Sequence, residues 1–189
     1  MSRMTLSDFE ARYRADPDPW GYTTSAYERE KYAATLAACG PGPFAHALEL
    51  GASIGVFSAA LAPRCRQLTT IDGAPTALEL ARRRLRNAPG VQIVEASIPA
   101  GIPDGRYDLV VASEILYYLT PDELEATLGR IGGQTRPGAR LVAVHWRPDG
   151  PERPLTADDV HATLRHAPWL RTVDRADTDA YRLDVLERL

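Results

Sequence analysis

Lysine is almost missing from this chain: Lys31 stands alone, and the remaining basic residues are arginines. With frequent alanine and proline, that scarcity points to a GC-rich genome and carries no chemistry of its own. Cysteine is scarce too. Cys39 and Cys65 lack metal-ligand spacing, and two thiols in 189 residues make no disulfide framework. They read as buried or incidental thiols, and no metal site is expected. No run approaches the ~18 consecutive apolar residues of a membrane span. The charged amino-terminal stretch MSRMTLSDFEARYRADPDPW also lacks the apolar centre of a signal peptide. A cytoplasmic protein with no membrane partner is the expectation. Excess positive charge is absent as well. The net charge is −3 and the pI about 5.8, so the basic footprint of a nucleic-acid partner is missing. The local run Arg82-Arg83-Arg84 reads as a solvated helix face.

What is present suffices for a core. Hydrophobic residues make up 44% and charged residues 25%, which fits one soluble unit that needs no staple. Residues 5–15 predict a helix capped by Thr5 or Ser7, and Asp16-Pro17-Asp18-Pro19 breaks it. A second helix is expected from Ser25 to Cys39. Strands and helices then alternate. Strands are predicted at 45–50, 67–71, 91–95, 107–112 and 140–146, and helices at 56–61, 75–86, 121–131 and 157–166. Thr120 with Glu123 forms a capping box. Arg136-Pro137-Gly138 reads as a turn, and 147–154 as a link. Two further strands, 170–175 and 181–189, form a hairpin. The pattern predicts a mostly parallel, seven-stranded α/β sheet with an antiparallel carboxyl-terminal strand and helices on both faces.

Ligands of open α/β sheets bind beyond the carboxyl ends of the strands, where the strand order switches. Here the first strand runs into Gly51-Ala52-Ser53-Ile54-Gly55. Gly51 permits a tight turn and Gly55 a close helix. Glu49 sits near the end of an apolar strand, where a carboxylate needs a partner. Asp72 closes the second strand, in the place of an acidic residue that accepts from ribose hydroxyls. The loop is no phosphate cradle: Ser53 replaces the middle glycine of the dinucleotide fingerprint, and no Gly-Lys-Ser/Thr follows. A ligand with a ribose, a sulfonium and an ammonium but no pyrophosphate suits this acidic pair. That describes S-adenosylmethionine.

The segments ALELGASIG (47–55), LTTID (68–72), YDLVVASEILYYL (107–119) and RPGARLVAVHW (136–146) resemble class I methyltransferase motifs in order and spacing. More narrowly, DPWGYTTSAYEREKYAATL (18–36) and SEILYYL (113–119) are similar to the nodulation protein S family of N-methyltransferases. The resemblance implies a Rossmann-like fold, one domain over residues 1–189, and a helical cap over 1–40. It also implies roles for residues. Glu49, Gly51, Ala52, Ser53 and Gly55 would line the methionine part of the cofactor. Asp72 would bind the ribose, with Gly73 and Ala74 beside the adenosine and Ser97 and Ile98 flanking the adenine. Ser113, Glu114 and Ile115 would lie under the methionyl end, facing the acceptor. Trp20, Tyr27 and Tyr32 would close over the cofactor. Ser97 departs from the pattern, since an aspartate commonly stands there.

Methyl transfer is an in-line displacement, so positioning dominates and a base is optional. Glu114 and His145, both at the carboxyl edge, are the residues expected to act on the acceptor. Tyr22, Tyr117 and Tyr118 are expected to shape its pocket. His46 at the opposite edge reads as structural, and His161 and His166 as surface residues. The leading acceptor is a small-molecule amine, such as an amino sugar or oligosaccharide. O-methylation is the alternative: a histidine reaching the acceptor would favour oxygen, an acidic aromatic pocket around Glu114 an amine. A nicotinamide oxidoreductase and a non-catalytic binding domain are further alternatives. The protein is expected to act as a monomer or homodimer.

Overall fold

The structure is a computed structural model describing residues 3–148 and 150–189. Met1 and Ser2 of the expected cap and Asp149 of the expected link lie outside the described residues. The chain runs α1 (Leu6–Ala15), α2 (Ala26–Cys39), β1 (Ala47–Leu50), α3 (Val56–Leu61), β2 (Leu68–Asp72), α4 (Pro75–Leu85), β3 (Val91–Glu95), β4 (Tyr107–Ser113), α5 (Pro121–Gln134), β5 (Thr135–Trp146), α6 (Ala157–His166), β6 (Leu170–Asp177) and β7 (Tyr181–Arg188). The seven strands lie in the order β3-β2-β1-β4-β5-β7-β6. Only β7 runs against the rest, pairing antiparallel with both β5 and β6. This is the mixed, Rossmann-like sheet that the strand–helix alternation predicts.

Alternate residues of each central strand serve opposite faces. Leu48, Leu50, Val110 and Leu141 pack with Leu124 and Leu128 of α5 and Val160 and Leu164 of α6. Ala47, Leu109, Val111 and Val142 pack with Cys39 of α2 and Phe57 and Leu61 of α3. A sheet covered on both faces explains why its strands read as unbroken apolar runs.

Two boundaries differ from expectation. Helix α5 continues past Ile131 through Gly132 and Gly133 to Gln134. The ring of Trp169 lies where a Cβ at Gly132 would point, 3.2 Å away, so glycine here serves close packing rather than chain reversal. The stretch Arg136-Pro137-Gly138 lies inside β5 instead of preceding it. The register against β4 jumps from Tyr107↔Thr135 to Leu109↔Arg140, and the surplus residues are absorbed as a bulge with Gly138 at φ 78°.

The amino-terminal helices are tied to this sheet by specific bonds. Glu10 of α1 accepts from the backbone N–H (3.0 Å) and hydroxyl (2.6 Å) of Thr76, in the first turn of α4. The α4 N-cap is Ala74, which has no capping side chain, so α1 supplies the missing acceptor. Asp18 orders the α1–α2 link by accepting from the N–H groups of Tyr22 and Thr23.

A buried relay braces the other side. His145 on β5 and His161 on α6 are both fully buried, so His161 is no surface residue. The backbone N–H of Leu116 donates to His145 Nε2 (3.2 Å), which places the imidazole proton on Nδ1. That N–H faces His161 Nε2 at 3.1 Å, and His161 Nδ1 then donates to Asp184 Oδ2 at 2.9 Å. Helix α6 buries this face because Ala157, Val160, His161 and Leu164 recur at helical spacing.

Two outcomes follow from this packing. A Cβ at Gly55 would meet Ala81 at 3.1 Å, and Gly55 sits at φ 76°. Gly55→Ala should therefore cost more than about 1 kcal/mol of stability in urea unfolding; a neutral result would contradict the α3–α4 contact. Burial, and then the neighbouring His161, hold the His145 imidazole well below the usual 6.5. Below that pH the unfolded chain takes up a proton that the folded chain refuses, so stability falls as pH drops. Nitrogen NMR should find the His145 ring still unprotonated at pH values where an ordinary histidine is protonated.

Candidate active site

The strand order reverses between β1 and β4, and a cavity of about 430 Å³ opens there at the carboxyl edge. Its walls come from the loops after β1, β2, β3 and β4, from α1 and α2, and from the link after β5. It brings together most of the residues that the sequence singles out.

One half is built on β1, β2 and β3. Gly51 and Ala52 both donate to the carbonyl of Ile71, which pulls the loop against β2. Gly51 lines the cavity at φ 77°, and a Cβ there would meet Ile115 at 3.3 Å. Ser53 takes the left-handed conformation usual for glycine, at φ 49°. Its backbone N–H donates to Asp72 Oδ2 (2.8 Å), and its hydroxyl bonds to Tyr13 at 2.6 Å. Asp72 Oδ1 accepts from the N–H of Ala74 at 2.9 Å. The aspartate is thus clamped by backbone donors while still lining the cavity. Burial raises its carboxyl above the usual range, and the backbone N–H groups oppose that rise. Gly73, Ser97 and Ile98 continue the wall, and a Cβ at Gly73 would collide with Leu6 and Ser97.

The other half is built on β4 and β5. Glu114 follows β4 at φ 56°, a conformation costly for a residue with a Cβ. Three donors hold it there. Lys31 Nζ reaches Oε1 at 2.7 Å, while the Tyr117 hydroxyl and the Trp146 backbone N–H (3.0 Å) reach Oε2. Lys31 also holds Glu28 Oε1 at 2.9 Å and lies 5.1 Å from the Tyr27 ring centroid. Ser113, Tyr22, Tyr27, Tyr117, Tyr118 and Trp20 all reach the cavity. Phe9 meets Tyr118 edge-on at 4.9 Å, and Tyr13 meets Trp20 at 5.4 Å, so an aromatic seam joins α1 to the sheet edge.

Five expected residues lie behind the cavity wall rather than in it. Glu49 is buried, and its Oε2 accepts from the hydroxyls of Ser58 and Thr70 (2.7 Å). Burial pushes its carboxyl up to about 7 against those two hydrogen bonds. Its partners are hydroxyls on α3 and β2, not loop N–H groups. Ala52 and Ala74 are buried packing residues, and Gly55 contacts α4. Tyr32 packs between Tyr22 and Phe57. His145 is a further departure: both ring nitrogens are engaged in the buried relay, so it presents no free nitrogen to an acceptor.

Among the lining residues that escaped the sequence reading are Tyr13, Glu28, Lys31 and Arg153. Arg153 stacks over Tyr117 at 4.6 Å and over Trp146 at 5.2 Å. Lys31 had one available signal. A lone lysine three residues after Glu28 lies on one helix face with it, yet its partner Glu114 is 83 residues away.

Comparison with known proteins points to one family. The family described as Nodulation protein S (NodS) matches residues 5–145. Nodulation protein S of Rhizobium tropici is 35% identical over 133 residues, 69% of this chain and 56% of that protein. Nodulation protein S of Bradyrhizobium diazoefficiens is also 35% identical over 133 residues, covering 69% of this chain and 64% of its own. The chain thus spans about half to two thirds of the length of these curated relatives. Among solved structures, N-methyltransferase NodS from Bradyrhizobium japonicum WM9, in complex with S-adenosyl-L-homocysteine, superposes with a TM-score of 0.87 at 25% identity. The match covers 98% of this chain and 99% of that one. A putative methyltransferase from Pseudomonas syringae is 35% identical with a TM-score of 0.77, over 87% of this chain and 100% of that one. With a seven-stranded sheet of class I methyltransferase type and a family match across most of its length, the chain belongs to the nodulation protein S family.

Proposed function

We propose that this protein transfers the methyl group of S-adenosylmethionine to the amine of a small-molecule acceptor, an amino sugar or a related metabolite. The observation that carries this reading is the division of one cavity at the switch point. A clamped aspartate, Asp72, ends β2, and an acidic, aromatic wall around Glu114 stands after β4.

The residues of the first half fit the cofactor. Asp72 lines the cavity with each oxygen holding one backbone N–H, which leaves lone pairs for a ribose diol. Gly51 brings bare backbone to the wall, where the methionyl end would lie. Ser97 and Ile98 would flank the adenine. When bound, the cofactor supplies an electrophilic methyl on a sulfonium. The chain's own work is then to place the acceptor in line and to exclude water. In this reading α1 and α2 act as the cap, with Trp20 and Tyr27 over the ligands.

The second half favours nitrogen over oxygen. A histidine reaching the acceptor would favour oxygen, and His145 is sealed in its relay. Instead the acceptor end offers carboxylates and tyrosine rings. Glu114 serves there as a positioning residue, since three donors already hold it.

A panel of amino sugars and other amines incubated with methyl-labelled S-adenosylmethionine should yield N-methyl product by mass spectrometry. Label found only on hydroxyl oxygen would replace the reading with O-methylation. Asp72→Ala should weaken S-adenosylhomocysteine binding by roughly 1–3 kcal/mol in calorimetry, the worth of lost hydrogen bonds to a charged group. Unchanged affinity would remove the ribose assignment.

A further inference from the structure

The most unusual electrostatic feature of the cavity lies in its second half. Lys31 is 1% exposed, yet it lines the wall with its ammonium between two carboxylates, Glu28 Oε1 and Glu114 Oε1. One lysine against two carboxylates leaves the cluster with one formal negative charge. Glu28 also lines the cavity, is 8% exposed, and carries a second oxygen, Oε2, with no hydrogen-bond partner. A buried carboxylate oxygen without a donor is costly to maintain. Among the described residues no group donates to that oxygen, and because Glu28 lines the cavity a donor carried by a ligand can fill the position.

We infer that Glu28, Lys31 and Glu114 form the recognition site for the acceptor's amino group, with Glu28 Oε2 accepting an N–H from it. The inference rests on the N-methylation reading above and adds the residues that select the acceptor. Topology separates the cluster from the ribose end. Asp72 ends β2 and Ser97 follows β3, whereas Glu114 follows β4 and Glu28 and Lys31 come from α2, which packs against α3, β5 and β7. The charge sorts acceptors by class. A carboxylate or phosphate would face two carboxylates and be rejected. A hydroxyl would donate to Glu28 but bring no charge to balance the cluster. An ammonium does both.

The same arrangement handles the proton. An amine that arrives as an ammonium must lose one proton before its lone pair can attack. Glu28 Oε2 is the unpartnered acceptor beside it, and burial raises the proton affinity of that carboxyl. The lone pair then forms the N–CH3 bond as the methyl–sulfur bond breaks, with its electron pair going to sulfur. The proton on Glu28 passes to solvent as the methylated amine leaves. Lys31 stays bonded to Glu114 and holds Glu28 in place by its other oxygen.

The test uses the full chain loaded with S-adenosylhomocysteine and two sugars, glucosamine and N-acetylglucosamine, which differ only in whether the amine is free. Calorimetry should show glucosamine bound at least about tenfold more tightly than its acetylated form. Glu28→Gln, which keeps the shape, should abolish that preference and leave S-adenosylhomocysteine affinity within about twofold. Glu28→Asp, a second variant that keeps the charge, should retain part of the preference. In methyl transfer, Glu28→Gln should raise KM for the amine and also lower kcat, because an amide cannot take the ammonium's proton. Equal binding of the two sugars by the unmodified protein would overturn the inference. So would a Glu28→Gln variant that discriminates as well as the parent, or one whose main loss is cofactor affinity. If the parent methylates amines while Glu28→Gln behaves identically, only this inference fails. Methylation of oxygen alone would remove the N-methylation reading beneath it.

Discussion

The three-donor hold on Glu114 is the interaction on which the site depends. Its backbone sits in a conformation that residues with a Cβ avoid, at the end of the central strand β4. Lys31 from α2, the Trp146 backbone from β5 and the Tyr117 hydroxyl from the following turn all converge on one carboxylate. Three separate elements are thereby fixed relative to the sheet edge. Without that convergence the turn has no reason to keep its strained geometry, and α2 loses the bond that draws its lysine into the cavity.

Around this point the protein separates jobs that the sequence leaves mixed. The carboxylates differ in surroundings, and so in use. Glu49 is dry, held by two hydroxyls, and sits behind the wall. Asp72 is clamped by backbone N–H groups and faces the cavity. Glu28 keeps one oxygen unpartnered. The histidines divide likewise: His145 and His161 are consumed in bracing the turn after β4, while His46 at the opposite edge bonds to Thr69. Where a polar group is buried, its role follows from how many of its hydrogen-bond positions the protein has already filled.

Much of the fold was legible in local pattern. Short apolar runs and apolar residues at helical spacing placed the strands and helices near their observed positions, because the strands are buried on both faces and the helices on one. Capping residues Thr5 and Thr120 marked two helix starts. The errors came where distant residues decide. The helix expected to end at Ile131 runs on through Gly132, where Trp169 packs against the bare backbone from outside the helix. His161 reads as surface, but Asp184 from β7 and His145 from β5 close over it.

The sequence by itself determined the strand–helix order, the glycine loop, the spacing of Gly51 to Asp72, and the position of Glu114 after an apolar strand. These are local or periodic features, and local backbone sterics and burial of one face suffice to read them. Only the tertiary structure decided which of the marked residues share the cavity. It sent Glu49, Tyr32 and His145 behind the wall and brought in Tyr13, Glu28, Lys31 and Arg153. The reason is physical: a charge or imidazole acquires its role from its partners, and here those partners lie tens of residues away, with Lys31 and Glu114 separated by 83 positions.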